Sequence, residues 1–322
     1  MEIIRDDQID PAPLAGKRIA IIGYGNQGRA QALNLADGGH DIVIGLREGS
    51  ASAARVEADG LHHALPRDAV EGAALTMMLL PDEVMTGAYG MIEEALTHGS
   101  ALGFSHGLAV HFGFIRPRDD LDVVMVAPKG PGTALRQLFT EGKGMVGLWA
   151  VEQDATGHAA DIALAYGQAI GCARAGLIAS KFAEECEADL FNEQAVVWGG
   201  VPALLEAGFE TLVDAGYSEE LALFECVSEL KLLADLIEAR GIAGMREAIS
   251  NTAELGAVLG GPKMVDDTVR QRMRDILEHV RSGEFAEALK REEAEAYPLL
   301  RKARAAARAS KVETVRQRIA KL

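Results

Sequence analysis

A strand that runs directly into a glycine-rich turn constrains this chain more than any other sequence feature. The apolar run Arg18–Ile22 leads into a GxGxxG motif, and helix-forming residues follow it. The motif consists of Gly23, Tyr24, Gly25, Asn26, Gln27 and Gly28. In such a unit the first glycine makes the turn, the second lets the backbone approach a pyrophosphate, and the third lets the helix pack on the strand. The motif therefore predicts a dinucleotide site built from these six residues.

Short apolar runs alternate with helical stretches from Lys17 to about Leu177. The predicted strands are residues 18–22, 41–44, 75–80, 101–104, 123–127, 146–151 and 173–178. Near-continuous apolar runs separated by helices are typical of a parallel sheet that is covered on both faces. We therefore expect an α/β protein whose amino-terminal domain, residues 1–180, is a doubly wound Rossmann-type domain.

After Lys181 the strand signals stop and helical periodicity replaces them. Three stretches of good helix formers carry this pattern: residues 184–197, 218–239 and 265–279. Residues 181–322 are therefore expected to form an all-α second domain. Its last segment, residues 301–322, contains eight basic residues and one acid. On so acidic a chain we interpret this segment as a solvated helix rather than an interaction tail.

The composition argues against several classes of partner. With a net charge of −16 the chain lacks the broad excess of Lys and Arg that nucleic-acid binders use, so no nucleic-acid partner is expected. The amino end carries no hydrophobic signal core, and no apolar run is expected to reach the roughly 18 to 20 residues that cross a bilayer, so no membrane role is expected. The cysteines are few, odd in number and without CxxC spacing, which is typical of reduced thiols and indicates the cytoplasm. They are Cys172, Cys186 and Cys226.

The loop after the second predicted strand bears on the choice between NADP and NAD. Arg47 has a planar guanidinium that pairs well with a 2′-phosphate, and Ser50 and Ser52 supply hydroxyl donors near the start of the next helix. These residues favour NADPH. Glu48 leaves the alternative open, because an acid near this position accepts hydrogen bonds from the ribose 2′-hydroxyl in NAD-selective folds.

Two pairs of carboxylates stand out in the helical half. Asp189 and Glu193 are four residues apart, as are Glu225 and Glu229, so each pair shares a helix face with apolar neighbours. Like charges at this spacing are destabilising, and acids among apolar residues carry large desolvation costs unless a cation compensates them. Ligation by oxygen alone suits Mg²⁺, which makes a two-metal site plausible. The alternative is that both pairs are ordinary solvated faces of an acidic protein.

Six motifs in this order resemble those of ketol-acid reductoisomerases of the short form, and the similarity runs nearly end to end. The motifs are residues 22–28 with 32–34, residues 79–83, residues 127–132, residues 189–194, residues 229–232 and residues 249–254. The resemblance implies an enzyme of valine, isoleucine and leucine biosynthesis. Such enzymes move an alkyl group within 2-acetolactate or 2-aceto-2-hydroxybutyrate with the help of two Mg²⁺ ions, and then reduce the product with NADPH.

The resemblance also implies roles for particular residues. The metal ligands are Asp189, Glu193, Glu225 and Glu229. In the family the last two usually come from the partner subunit, which implies a homodimer or higher homo-oligomer with shared active sites in the helical domain. Ser250 matches the serine that binds the substrate carboxylate. Asp82 and Gly132 lie in motifs that contact the cofactor.

His106 and Lys129 match polar residues near the nicotinamide and the metals. The candidates for proton transfer are Lys129, Glu229 and a water on the metal, with no choice among them. From the residues alone, His106 lies near the carboxyl edge of the sheet, where doubly wound folds place their ligands, but it is also consistent with a loop residue. Lys129 is equally consistent with a solvated lysine, and Ser250 with a helix or turn cap.

The sequence departs from the usual family pattern at four positions that are not metal ligands: Ala188, Asn192, Trp198 and Ser228. Trp198 is expected to add bulk near the core of the helical bundle, which affects substrate range. Two other functions stay open at this point. One is a metal-independent 3-hydroxyacid dehydrogenase of similar architecture, and the other is a non-catalytic dinucleotide-sensing protein.

Overall fold

The computed structural model describes residues 2–320, so Lys321, one of the eight basic residues of the last segment, lies outside the described part. The chain divides into two compact units, Met1–Cys186 and Glu187–Leu322. The first unit is an α/β unit and the second is helical. This is the expected fold class, with a Rossmann-type sheet unit followed by an all-α unit.

A single nine-stranded sheet organises the α/β unit, in the order β1-β9-β8-β7-β6-β5-β2-β3-β4. The six neighbouring strands from β7 to β4 in this order all pair in parallel, and so do β8 and β9. The strands are β1 (Ile3–Ile4), β2 (Arg18–Ile22), β3 (Asp41–Gly45), β4 (His63–Ala64), β5 (Leu75–Met78), β6 (Ala101–Phe104), β7 (Asp122–Pro128), β8 (Gly147–Gln153) and β9 (Leu177–Ala179). The central strands β5, β6 and β7 are buried at every residue, which explains their near-continuous apolar sequences.

The sheet differs from the predicted one outside its central strands. Strand β8 runs antiparallel to β7, with a register shift at Val123 and Val124, because an apolar run does not encode the direction of its strand. Strands β1 and β4 have two residues each, too few to show a periodicity. The predicted strand at 173–178 begins only at Leu177, because a 3₁₀ turn, Cys172–Arg174, occupies its first half.

Helices cover the sheet of the α/β unit and connect its strands. They are α1 (Asn26–Asp37), α2 (Ala53–Ala58), α3 (Pro66–Val70), α4 (Asp82–Ile92), α5 (Leu108–His111), α6 (Gly132–Thr140), α7 (Ala159–Ala169) and α8 (Phe182–Asn192), the last of which continues into the helical unit. The large hydrophobic core lies between these helices and the strands and includes Ile19, Leu35, Leu75 and Tyr166, each fully buried. The carboxyl ends of β2, β5, β6 and β7 lie at one edge of the sheet, and the loops that carry polar side chains begin there.

The helical unit contains two π-helical turns, Glu193–Val197 and Phe224–Ser228, which interrupt the α-helical periodicity. Its α-helices are α9 (Gly200–Asp214), α10 (Glu219–Leu223), α11 (Leu230–Ala248), α12 (Asn251–Met264), α13 (Asp267–Arg281), α14 (Glu284–Ala294), α15 (Pro298–Ala309) and α16 (Lys311–Ile319). One small core cluster of the unit contains Phe209, Ala222, Leu223 and Val315. Within the last segment, Arg318 pairs with Glu219 and Glu220, while most of the other basic side chains are exposed.

Much of the apolar surface of the helical unit is exposed. Leu232, Ile242 and Leu259 are each more than 60% exposed, although such residues are normally buried in a monomer. Trp198, expected near the bundle core, is 70% exposed because it lies just after the first π-helical turn, on the surface of the unit. The unit therefore carries large apolar faces that the described chain itself does not cover.

One helical stretch, Phe182–Asp214, corrects the expectation that no apolar run approaches the length of a membrane span. It has 33 residues and a mean hydropathy of 1.3 over its most apolar window, enough by length and composition to cross a bilayer. The expectation was wrong because the apolar sequence continues through the π-helical turn and into α9 with few charges. Only 6% of that window is buried, and one such helix is weak evidence for a membrane role.

Candidate functional site

The glycine-rich turn between β2 and α1 has the backbone geometry of a dinucleotide loop. Gly23 has φ +101°, and a Cβ built there would lie 2.6 Å from the Leu79 carbonyl oxygen. A Cβ on Gly28 would lie 2.7 Å from the Gly23 carbonyl oxygen, so α1 packs closely on the turn. A Cβ on Gly25, by contrast, meets nothing within 4 Å. The middle glycine thus faces open space where a pyrophosphate fits against the backbone.

Three side chains fasten this turn to the helix that follows β3. The Arg29 guanidinium donates two hydrogen bonds to the carboxylate of Asp59, at 2.6 and 2.7 Å, and the Tyr24 hydroxyl donates a third at 2.7 Å. These bonds, that of Arg29 foremost, lower the pKa of Asp59 to about 2. Burial and the neighbouring carboxylate raise the pKa of Tyr24 well above its usual range. The cluster holds the glycine-rich turn and the end of α2 at a fixed separation.

A cavity of about 670 Å³ opens beside the turn and reaches the loop between β3 and α2. Its polar lining includes the backbone of Gly23 to Gly25 and the side chains of Arg47, Ser50 and Ser52. Ser52 is the N-cap residue of α2, and its backbone N–H donates to the Ser50 hydroxyl at 3.3 Å. The three side chains that favour a 2′-phosphate therefore share one cavity with the glycine-rich turn.

At the carboxyl edge of the sheet, His106 and Asp82 lie side by side. His106 follows β6 and Asp82 begins α4, and the ring Nδ1 lies 3.3 Å from the Asp82 Oδ2 atom. Among the residues that the structure describes, none donates a hydrogen bond to the buried Oδ1 atom of Asp82. A buried carboxylate oxygen is normally hydrogen-bonded, so this atom fits a hydroxyl or amide of a bound molecule.

Glu185 is a functional candidate that the sequence reasoning missed. Its side chain is 1% exposed, and its carboxylate accepts hydrogen bonds from Lys129 Nζ at 2.9 Å and from the Gly107 N–H at 3.0 Å. His106 Nε2 lies 3.9 Å from the same carboxylate, within ion-pair range but too far for a hydrogen bond. Lys129 is therefore the partner of a buried acid rather than a free surface lysine.

One sequence signal pointed to Glu185. It precedes Asp189 by four residues, which in turn precedes Glu193 by four, so three acids recur at helical spacing. The signal was lost because Glu184 and Glu187 surround it with further acids of the same type. The close packing was also hidden: a Cβ on Gly107 would lie 2.3 Å from the Phe182 carbonyl oxygen, so only glycine admits the start of α8 here.

Both carboxylate pairs of the helical unit flank a π-helical turn. Glu193 opens one turn, Glu225 lies inside the other, and Glu229 follows it directly. Such turns are rare and occur frequently at functional sites, because they displace side chains from the ordinary helical positions. Glu225 and Glu229 line an apolar cavity of about 610 Å³ within this unit.

The structure does not bring all four acids of the two pairs into one cluster. Within the described part of the helical unit, no three of them approach one another as ligands of one ion would. Ser250 is the N-cap of α12, and its hydroxyl accepts from the Ala253 N–H at 3.2 Å. Its position as a helix cap is therefore confirmed, while its role towards a substrate stays a prediction.

Comparisons with known proteins cover both units. A family model described as the NADPH-binding domain of acetohydroxy acid isomeroreductase matches residues 13–176, and one described as the C-terminal domain of ketol-acid reductoisomerase matches residues 182–322. A ketol-acid reductoisomerase (NADP(+)) from Kineococcus radiotolerans is 46% identical over all of this chain and 94% of its own length.

Solved structures are similar as well. An NADH-preferring ketol-acid reductoisomerase from an uncultured archean has a TM-score of 0.96 and 42% identity, over 100% of this chain and 99% of that one. A putative oxidoreductase from Jannaschia sp. CCS1 has a TM-score of 0.62 and 15% identity, over 82% of this chain and 97% of the other. The second likeness concerns the fold alone.

The Asp59 cluster generates a prediction about stability and pH. A carboxyl group whose pKa is lowered in the folded protein stabilises it above the unfolded pKa, here about 3.8, and this contribution is lost as the pH falls towards about 2. Asp59→Asn should lower the free energy of unfolding by about 1 kcal/mol at neutral pH, a value discounted because Arg29 is about half exposed. Urea unfolding at several pH values measures the difference.

The difference between the two proteins should stay constant from about pH 8 to pH 5 and shrink below about pH 4. Asp41→Asn is the matched control, because its pair with Arg18 is exposed on both sides and should contribute less than about 0.5 kcal/mol. A loss of unfolding free energy for Asp59→Asn that is no larger than that of the control would contradict the stabilising role of the Asp59 cluster.

Proposed function

Because this chain belongs to the ketol-acid reductoisomerase family, a family of NADP-dependent oxidoreductases, we propose that it isomerises and then reduces acetohydroxy acids. The substrate is 2-acetolactate or 2-aceto-2-hydroxybutyrate, and the product is the corresponding 2,3-dihydroxy acid of valine, isoleucine and leucine biosynthesis. The observation that carries the proposal is the group of Asp82, His106, Lys129 and Glu185 at the carboxyl edge of the sheet that also bears the dinucleotide loop.

The α/β unit orients the cofactor and polarises the reacting oxygens. NADPH supplies the hydride when it is bound. The open face over Gly25 receives the pyrophosphate, and the unpaired Oδ1 atom of Asp82 is placed to accept from a polar group near the nicotinamide. Glu185 holds the Lys129 ammonium in one position, where its positive charge would stabilise negative charge that develops on a substrate oxygen. His106 and Lys129 are the groups of this unit that hold or move a proton.

The helical unit supplies the metal ligands. Asp189 and Glu193 would hold Mg²⁺ from one stretch of helix, and Glu225 and Glu229 would contribute from another. When bound, two Mg²⁺ ions supply the Lewis acidity that alkyl migration requires. The donor set fits this group, because all four ligands are carboxylates and Mg²⁺ prefers oxygen. Ser250, at the exposed start of α12, would bind the substrate carboxylate.

A second copy of the chain completes each site in this proposal. The exposed apolar side chains of the helical unit are typical of an obligate interface, since large uncovered apolar faces are rare on monomers. Glu225 and Glu229 line a cavity together with two of these exposed apolar residues, Leu232 and Leu233. We infer a homodimer, or a higher homo-oligomer, in which these two acids serve the partner's active site. The acidic chain and its small-molecule substrate fit a cytoplasmic enzyme.

The decisive test separates the reductoisomerase from a plain dehydrogenase and from a non-catalytic sensor. The purified protein should oxidise NADPH with 2-acetolactate in the presence of Mg²⁺, and also with 3-hydroxy-3-methyl-2-oxobutanoate supplied directly. Because alkyl migration depends more on the metal ligands than hydride transfer does, Glu225→Asp should lower the first rate more than the second. Reduction of the ketoacid without any turnover of acetolactate would promote the metal-independent dehydrogenase, and no turnover of either would promote the sensor.

The carboxylates give a second prediction. Asp189→Asn and Glu229→Gln should each lower kcat with acetolactate by at least about 10³-fold, because each removes a charge that holds Mg²⁺. NADPH binding, measured by fluorescence titration, should stay within a factor of about three, since the dinucleotide loop lies in the other unit. Glu184→Gln is the control, because Glu184 lies on the same helix but is exposed and pairs with Lys181.

Mixing two inactive variants tests whether the site is shared. If Asp189 and Glu225 serve one site from different subunits, co-expressed Asp189→Asn and Glu225→Gln chains form mixed dimers with one intact site of two. Random mixing should then restore about a quarter of the wild-type activity, by the symmetry of a two-fold dimer. A mixture as inactive as its components would place all four acids in one subunit.

The loop after β3 gives a prediction about the cofactor. Charged hydrogen bonds to a phosphate contribute roughly 1.5 to 3 kcal/mol, so Arg47→Ala should raise the KM for NADPH by about one to two orders of magnitude with much less effect on NADH. Arg67→Ala is the control, because Arg67 is exposed on α3 and pairs with Glu94, away from the cavity lining. Equal KM values for the two cofactors in the unmodified protein would contradict an NADPH preference and indicate that Glu48 binds the ribose.

A further inference from the structure

A hydrogen-bonded network of buried polar side chains lies next to the loops that carry His106 and Lys129. It centres on Gln31, in the second turn of α1, which is fully buried together with Tyr166 of α7. The Tyr166 hydroxyl donates to Gln31 Oε1 at 2.6 Å, and Gln31 Nε2 donates to Gln27 Oε1 at 3.0 Å and to the Ser105 hydroxyl at 3.1 Å. Both N–H donors of the Gln31 amide and its carbonyl oxygen are therefore hydrogen-bonded within the core.

From Gln31 the hydrogen-bonded network extends to two loops. Gln27 Nε2 donates to the Gly130 carbonyl oxygen at 2.9 Å, next to Lys129. The Ser105 hydroxyl, next to His106, donates to the Val126 carbonyl oxygen at 2.9 Å. One buried amide thus connects the first turn of the cofactor helix with the loops on which both proposed catalytic side chains stand.

A buried polar network is costly unless it is fully satisfied, and apolar residues would fill the same space with fewer constraints. The benefit of such a network is rigidity, because directional hydrogen bonds fix positions that apolar packing leaves adjustable. The glycine-rich turn and the first turn of α1 receive the pyrophosphate, and Gln27 belongs to both. Hydrogen bonds of 3.1 Å or less connect that turn with both loops, so a shift of the turn would also shift the loops.

We propose that Gln31 is a positioning residue that aligns the His106 and Lys129 loops with the bound dinucleotide. It touches neither cofactor nor substrate and acts through Gln27, Ser105 and Gly130. The roles of His106 and Lys129 rest on the proposed function, whereas the coupling between the cofactor helix and the two loops does not. Misplacement of reacting groups by about 1 Å lowers rates by up to about 10²-fold, so the consequence is kinetic.

The test compares two buried amides of the same helix. Gln31→Met removes the network with little change in volume. Asn34→Leu is the matched control: Asn34 is also fully buried and both its side-chain polar atoms are hydrogen-bonded, but it binds the Ile170 carbonyl and Arg136 instead of the two loops. Both substitutions should lower the melting temperature by several degrees, because both leave buried groups without partners.

Hydrogen exchange measures the coupling without substrate or metal. The probe is 2′-phospho-ADP-ribose, which carries the phosphates of NADPH but no nicotinamide ring to touch the loops. In wild type and in Asn34→Leu, saturating probe should slow amide exchange in peptides that cover residues 102–108 and 127–130, a range that leaves out the predicted cofactor contact Gly132. In Gln31→Met, exchange should slow in the glycine-rich turn, which verifies binding, but not in the two loops. Tyr166→Phe, a milder variant, should show a partial loss if Gln31→Met does not fold.

Kinetics with NADPH and acetolactate supply the second readout. Gln31→Met should lower kcat about tenfold while the Kd for NADPH changes less than about threefold, and Asn34→Leu should change neither. Loops that respond to the probe equally in Gln31→Met and wild type, or fail to respond in wild type or in Asn34→Leu, would overturn the proposal. A wild-type protein that responds to the probe but does not turn over acetolactate would instead refute the proposed function.

Discussion

The buried carboxylate of Glu185 constrains every segment around it. A charge that is 1% exposed is stable only where donors and opposite charge surround it, since its desolvation costs several kcal/mol. Here the compensation comes from Lys129 after β7 and from the Gly107 N–H after β6. Neither loop can move away without leaving the charge exposed to an apolar core. One acid therefore holds two strand ends and the first turn of α8 in a single arrangement.

The helical unit depends on a different constraint. Among the residues of this unit that the structure describes, few side chains are fully buried, while Leu232, Ile242 and Leu259 remain largely exposed. On a chain with net charge −16, acids such as Glu225 and Glu229 add repulsion to this deficit. In the proposed assembly, a partner surface would cover the exposed apolar side chains, and bound cations would offset the repulsion between the acids. In the proposed dimer, association and metal binding would therefore stabilise the same region and depend on each other.

The sequence was sufficient where local chemistry determines structure. The glycine-rich turn, the buried strands and Ser250 as a helix cap follow from backbone geometry and burial, and the structure contains them. The direction of β8 and the π-helical turns were not predictable, because both depend on packing between distant segments. Glu185 was missed for the same reason: its burial comes from Gly107 and Lys129, 78 and 56 residues away in sequence.

The cofactor loop shows why similar sequences leave one property open. The relatives include a protein named for NADP(+) and one described as NADH-preferring, at 46% and 42% identity. Such a preference depends on a few side chains at the cavity wall, because the glycine-rich turn contacts only the part that both cofactors share. In this chain Arg47, Ser50 and Ser52 line that wall. The hydrogen bond between Tyr24 and Asp59 ties the glycine-rich turn to the end of α2, so it limits how far this cavity wall can move from the turn. The charge that the wall presents therefore decides between the two cofactors.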